Sequence, residues 1–363
     1  VTIATDKTFD AAALSEILTA GMAGDESSDE PAEDRFPKID WKEAFATDFT
    51  DIDWLAGKFC ERGQQITIVG DGKVGKTLLV HNWIYNAITG RSFIGDVRRD
   101  PIKVLYFDRE NSLRDIVTRM TAFGATHEEL EHLDYRMFPR FNGALDNSGL
   151  AAAELLNIVD ETKPDVVVLD TVSRFIAGKE NDSDTWLELY RRLHVPLKER
   201  MVATVRLDHM GKDSERGSRG SSAKTQDVDA VWELIRTDER AHTHDDTVEQ
   251  VTQLRFRRTH TRSGLGDDVF DIIRRGVREK GGMWLAGGTR HELCDSGDSK
   301  RFAQEIQSYV DELVARGAPQ SAGRDALKKW AEAHFVNLPK NNQKLVEVVR
   351  ALKIQNDVPC VPE

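Results

Sequence analysis

Two rhythms of apolar and polar positions run along this chain. "QQITIVG" (64–70), "IKVLYFD" (102–108) and "KPDVVVLD" (163–170) are short β-branched or aliphatic runs that end in glycine or aspartate. Four consecutive aliphatics, Val166 to Leu169, predict a strand buried on both faces of a parallel sheet. "KTLLVHNWIYNAI" (76–88) instead carries helical spacing through Leu79, Trp83 and Ile84, so the glycines at 70–75 sit between a strand and a helix. "VEQVTQLRFRRTHTRSGLGDDVFDI" (248–272) predicts a strand, a turn and a second strand, the last pair of the sheet. After Gly282 the pattern changes. "GGMWLAGGTRHELCDSGDSK" (281–300) has the character of a linker, and three helical segments follow at 301–317, 321–334 and 340–354, the second opening on a Ser321 N-cap signal.

Four regions are therefore expected. They are a flexible acidic tail (1–35, with a short helix at 11–20), an α/β core (36–282), a linker (283–300) and a small helical, winged-helix-like module (301–363).

Charge sharpens the first of these. The net charge is −12, yet residues 1–60 hold 14 acidic and 5 basic side chains, so the remaining 303 residues carry only −3. "DESSDEPAED" (25–34) has no aliphatic residue beyond Ala and cannot offset its own ordering entropy. The acidity belongs mostly to the tail and does not exclude a nucleic-acid partner for the rest. Cys60, Cys294 and Cys360 show no metal or redox spacing and are expected to be reduced thiols. No apolar run is long enough to span a bilayer, and the expectation is a soluble, cytoplasmic protein with no membrane partner.

"IVGDGKVGKTLLVHNW" (69–84) satisfies two phosphate-binding patterns, G-x-G-x-x-G and G-x-x-x-x-G-K-[ST]. A dinucleotide site wants an acidic residue about 20 positions further on, at the end of the next strand. Here Asp108 arrives more than thirty positions after Gly75. Lys76 and Thr77 are directly explained by a triphosphate. The nucleotide-binding set is Gly70, Asp71, Gly72, Lys73, Val74, Gly75, Lys76, Thr77 and Leu78. Backbone N–H groups of 72–77 would wrap the phosphates, the Lys76 ammonium would reach the β and γ oxygens, and the Thr77 hydroxyl would ligate Mg²⁺. ATP and Mg²⁺ are the expected ligands.

Hydrolysis needs more than a cradle. Asp170, at the carboxyl end of its strand, is placed to hold Mg²⁺ through a coordinated water. Where "VLYFDRENSLRDIVTRM" (104–120) leaves its strand, Glu110 is the choice for orienting the attacking water, with Asp108 its rival.

The order "GDGKVGKT", "YFDREN", "VVVLDTVSRF", "RLDHMGKDSERGSRGSS" resembles the RecA-like ATPases, and specifically the RepA-type hexameric replicative helicases of plasmids and phages, over residues 50–275. The resemblance implies a RecA-like P-loop NTPase core, a central mostly parallel β-sheet flanked by helices. It implies Glu110 as catalytic glutamate, Asp170 as Walker B aspartate, and His209, at the end of "MVATVRLDH", as γ-phosphate sensor. Two departures stand out: Asp208 replaces the first of two adjacent histidines, and Arg206 interrupts a strand the family keeps aliphatic. The resemblance also implies an arginine finger reaching the neighbouring subunit's ATP, which Arg257 or Arg258 would supply. In the glycine- and serine-rich stretch 211–227, Lys212, Arg216, Arg219 and Lys224 are candidates for contact with a single strand.

The expected activity is ATP hydrolysis in a ring-forming, hexameric helicase or translocase on single-stranded or forked DNA, with replication proteins as further partners. Two alternatives stay open: a DNA-binding ATPase that remodels without unwinding, and a structure-specific nuclease using Asp267, Asp268 and Asp271 as metal ligands.

Overall fold

The computed structural model describes residues 38–47, 52–94, 100–180, 182–209, 227–264, 267–282, 284–294 and 296–339, together with 345, 348–349 and 351–352. The chain divides into two units, Val1–Asp51 and Ile52–Glu363. In the first, helix α1 (Trp41–Ala46) is capped by Asp40, whose carboxylate accepts the N–H groups of Lys42 at 2.9 Å and Glu43 at 3.2 Å. The acidic stretch at 25–34 and the helix expected at 11–20 lie outside the described residues.

The second unit is built on a nine-stranded sheet, counted among the described residues. Its strands are β1 (Gln65–Val69), β2 (Val104–Asp108), β3 (Leu133–Met137), β4 (Val166–Asp170), β5 (Ala203–Leu207), β6 (Ala230–Thr243), β7 (Thr247–Thr261), β8 (Val269–Glu279) and β9 (Arg290–Leu293). The order is β3-β2-β4-β5-β1-β6-β7-β8-β9. Pairing is parallel from β3 through β6 and antiparallel from β6 through β9. One strand, β5, separates the P-loop strand β1 from the Asp170 strand β4. This is a RecA-like α/β fold.

Period-two alternation explains why the parallel half is covered on both sides. Val104, Tyr106, Val166 and Val168 face one apolar cluster with Trp83 and Ile84 of helix α2 (Lys76–Ile88), while Leu105, Phe107, Val167 and Leu169 face another with Trp186 and Leu189 of a later helix (Ser183–Leu189). Arg206 is the exception foreseen in β5. Its guanidinium is buried, with Nε donating to Thr67 Oγ1 at 2.9 Å and the charge 5.2 Å from the Trp186 ring; burial pushes its pKa down to about 10.

The segment expected to be a linker is different. Residues 290–293 form β9, paired with β8, and the His291 N–H and Nδ1 lie 3.2 Å and 3.0 Å from Asn82 Oδ1 on α2. The Gly287 and Thr289 N–H groups donate to the Thr121 and Ala122 carbonyls of helix α3 (Leu113–Phe123). Glycine and polar content made this stretch look unstructured, whereas its backbone groups are satisfied by the sheet and two helices. The expected last pair, β7 and β8, is therefore not the sheet's edge.

Beyond it, a helix spans Ser296–Ala315 and another Arg324–Ala333, and Ile306, Val310, Leu313, Leu327, Val348 and Leu352 share one apolar cluster. The second helix starts on Gly323 with no side-chain cap, rather than on Ser321. Most of the third expected helix lies outside the described residues, although 345, 348–349 and 351–352 are helical. Among the described residues no helix is long and apolar enough to cross a membrane.

Fold stability carries a pH signature. His81 of α2 is fully buried, with Nε2 3.2 Å from the Tyr135 hydroxyl. Burial, reinforced by the Arg119 charge, pulls its pKa down to about 3. A depressed histidine contributes its full stability above the unfolded value near 6.5 and loses it as pH falls toward 3. Urea unfolding at pH 7 and pH 4.5 is expected to show a loss of about 2 kcal/mol from this group, and His81→Gln is expected to flatten that acid limb.

Candidate active site

The carboxyl edge of the parallel strands collects the functional groups because each strand ends where its polar residue begins. Across the ladder Asp108 of β2 stands directly opposite Asp170 of β4; β5 then delivers Asp208 and His209, and β1 delivers the P-loop.

The loop takes its shape from glycine. A Cβ on Gly70 would lie 2.6 Å from the Leu234 carbonyl oxygen, and Gly75, the N-cap of α2, has φ +107°. Lys76 is buried, and its Nζ donates to the Gly70 carbonyl at 2.9 Å and the Asp71 carbonyl at 3.3 Å, so the ammonium closes over its own loop. Burial lowers its pKa, opposed by the charges of Asp170, Glu110 and Asp208. The exposed ring of His209 brings Nδ1 to 3.5 Å from that Nζ. The β5 terminus and the P-loop lysine thus meet directly.

Three donors converge on one oxygen of Asp170. Thr77 Oγ1 donates to Oδ2 at 3.0 Å, the Tyr106 hydroxyl at 2.8 Å and Asn111 Nδ2 at 3.2 Å. Oδ1 of the same carboxylate is buried and has no partner among the described residues. Burial pushes the Asp170 pKa up to about 6, against the hydrogen bonds from Tyr106 and Thr77 and with the repulsion of Asp108 and Glu110. A buried acceptor held beside a hydroxyl suits a hard cation. Mg²⁺ takes one or two protein oxygens and completes its shell with phosphates and water, and Thr77 and Asp170 are the oxygens that fit it.

The two acids of the charged turn have different surroundings. Asp108 is fully buried and saturated, accepting from the Glu110 N–H at 2.6 Å, the Asn111 N–H at 2.9 Å, Asn111 Nδ2 at 2.9 Å and the Tyr135 hydroxyl at 2.5 Å. It builds the turn. The Glu110 carboxylate is a third exposed, with Arg174 Nε at 4.0 Å, and is the acid with room for a water.

Sequence reasoning missed the supports. Tyr106 and Tyr135 sit in register on β2 and β3 with rings stacked 4.4 Å apart, and each hydroxyl holds one of the two aspartates. The signal was present, because Tyr106 shares a strand face with Asp108 two residues on. Arg274 gave no such signal. From β8 its guanidinium rests against Gly75, occupying the place a Cβ would take, and Nη2 donates to Thr252 at 3.0 Å. Beside it, Leu78, Arg119, Gln250, Arg274, Trp284 and Thr289 line a pocket of about 150 Å³ that begins one residue past Thr77. Arg119 Nη1 donates to Asn111 Oδ1 at 2.8 Å, connecting that pocket to the Asp170 group.

Other expected residues are not brought to the cleft. Arg257 pairs with Glu233, Nε to Oε2 at 2.9 Å, because the β6–β7 register sets them opposite each other. Arg258 pairs with Asp268, Nε to Oδ1 at 2.8 Å, and lies 5.7 Å from the Trp232 ring. Both are engaged within their own chain rather than held out toward a neighbour. Asp268 is thereby paired, and Asp271 pairs with Arg255 at 2.8 Å, so two of the three carboxylates considered for a nuclease are bound to arginines; among the described residues no group of three or more His, Cys, Asp or Glu could hold a metal. Lys212, Arg216, Arg219 and Lys224 lie outside the described residues.

No curated protein matches this chain. A solved structure of a KaiC-like protein from the hyperthermophilic archaeon Pyrococcus horikoshii OT3 is similar at 14% identity, covering 62% of this chain and 90% of that one with a TM-score of 0.41. The family described as AAA domain matches residues 30–215, just over half of the 363 residues. The chain belongs to the AAA domain family, as a P-loop ATPase domain of RecA-like fold.

Proposed function

We propose that the protein hydrolyses ATP with Mg²⁺ and works as a ring-forming motor on single-stranded or forked DNA. The observation that carries the reading is the convergence of Lys76, Thr77, Asp170, Glu110 and His209 on one sheet edge. Lys76 exchanges its Gly70 and Asp71 carbonyls for β- and γ-phosphate oxygens, and the P-loop N–H groups take the remaining phosphate oxygens. Thr77 and Asp170 would hold Mg²⁺, which when bound would supply charge neutralisation to the phosphates. Glu110 orients a water and accepts its proton as the water oxygen bonds to the γ-phosphorus and the β–γ bridging bond breaks, releasing ADP. His209, in contact with Lys76, registers the loss of the γ-phosphate and passes it along β5. Service of a neighbour's nucleotide by Arg257 or Arg258 requires the Glu233 or Asp268 pair to open first.

The motor reading is supported by the resemblance of residues 50–275 to ring helicases. It is tested by ATP turnover with and without an unpaired oligonucleotide, strand displacement on a forked duplex, and particle mass. The expected result is stimulated turnover, displacement and a mass near six chains. Turnover indifferent to DNA in a monomer-sized particle would leave the ATPase and remove the motor.

A further inference from the structure

Beside Glu110, and in reach of its carboxylate through Arg174, lies a second group of residues. The chain leaving β3 places Phe138 in the left-handed region, φ +46°, with its ring 54% exposed and its N–H donating to the Asp108 carbonyl at 2.6 Å. A large aromatic side chain is unfavourable in both respects, and such outliers cluster where a ligand is held. Exposed Arg140 follows two residues on. Arg174, also more than half exposed, faces the same concavity of about 360 Å³ lined by Arg109, Phe138 and Arg174.

The two loops that carry these side chains are tied together. Arg109 donates to the Arg174 carbonyl at 2.7 Å and the Pro139 carbonyl at 2.8 Å, and its guanidinium lies 4.6 Å from the Phe175 ring. Asp146 accepts the Ala177 N–H at 2.9 Å and the Gly178 N–H at 2.8 Å, and the Leu145 N–H donates to the Phe175 carbonyl at 2.9 Å. A rigid frame thus presents one aromatic face flanked by guanidinium groups, with Glu110 as the acid in contact with Arg174. An aromatic face stacks any base, and arginines bind backbone phosphate.

We propose that Phe138, Arg140 and Arg174 form a platform for single-stranded nucleic acid, one base stacking on Phe138 and backbone phosphates meeting the two arginines. This rests on the DNA-motor reading and places a strand beside the water-orienting glutamate. A phosphate on Arg174 competes with Glu110 for its guanidinium, so strand binding and hydrolysis share one side chain.

The test is fluorescence anisotropy of the full chain with a labelled oligothymidylate, across a salt series, and with an abasic oligonucleotide of equal length. Phe138→Ala is expected to weaken oligothymidylate binding roughly 5- to 150-fold, and Phe138→Tyr to restore it. The Phe138→Ala effect should vanish on the abasic strand, where no base stacks. Arg140→Ala and Arg174→Ala should each flatten the slope of log affinity against log salt by about 0.7. Wild-type affinity in Phe138→Ala, an equal loss on the abasic strand, or competition by poly-glutamate as strong as by oligothymidylate would overturn the platform while leaving the motor reading intact. A wild-type chain that binds no oligonucleotide would overturn both.

Discussion

Replacing Lys76 by alanine is expected to abolish ATP turnover, by about 10³-fold or more, while leaving the protein folded. Of the two lysines in the phosphate loop, Lys73 is exposed and Lys76 is buried, its ammonium 2.9 Å from the Gly70 carbonyl and 3.3 Å from that of Asp71. It already sits on oxygens whose place a phosphate can take, so little reorganisation precedes its use. Four carboxylates, Asp170, Glu110, Asp208 and Asp71, add negative potential there, which the Lys76 ammonium offsets for an incoming triphosphate. Weaker nucleotide binding should accompany the lost turnover. The measurement is phosphate release alongside titration with a fluorescent ATP analogue, with far-ultraviolet circular dichroism as the folding check. Retention of more than a tenth of wild-type turnover would show that the phosphates lie elsewhere.

Glu110→Gln should separate binding from chemistry. Glutamine keeps the size and the surface position but cannot accept the water's proton, so kcat is expected to fall about 10²- to 10⁴-fold with nucleotide affinity nearly unchanged. Its neighbour offers the control. Asp108 accepts four hydrogen bonds from Glu110, Asn111 and Tyr135, and Asp108→Asn would set an amide donor against at least one of them. That variant should lower the melting temperature, whereas Glu110→Gln should not. The reverse pattern, with Asp108→Asn stable and inactive and Glu110→Gln active, would exchange the two roles.

How far the sequence could be read depended on the range of the interaction involved. The phosphate loop was legible because Lys76 and Thr77 follow Gly75 in one local pattern, and Asp170 because four aliphatic residues lead straight into it. The sequence already favours Glu110 over Asp108, and the folded turn adds the difference in surroundings: the Asp108 carboxylate accepts two backbone N–H groups, whereas that of Glu110 is a third exposed. Arg257 and Arg258 look alike as a basic pair in the chain. Only the register with β6 shows Glu233 waiting opposite the first, and only the turn into β8 brings Asp268 to the second. Arg274 is the extreme case. Nearly two hundred residues separate it from Gly75, and no spacing rule reaches that far. The nominal linker failed for a related reason: its glycines and polar residues report local freedom, while the partners that remove that freedom, Asn82 and the Thr121 and Ala122 carbonyls, come from earlier helices.

The tether between His291 and Asn82 also bears on where this enzyme can be cut. A fragment ended at the apparent domain border near residue 282 would discard the outermost strand, strip β8 of its partner on that side and release the middle of the helix whose first turn carries Lys76 and Thr77. A piece that keeps β8 flanked on both sides and Asn82 engaged runs through Leu293, so an excision guided by composition alone would remove a brace of helix α2 along with the supposed spacer.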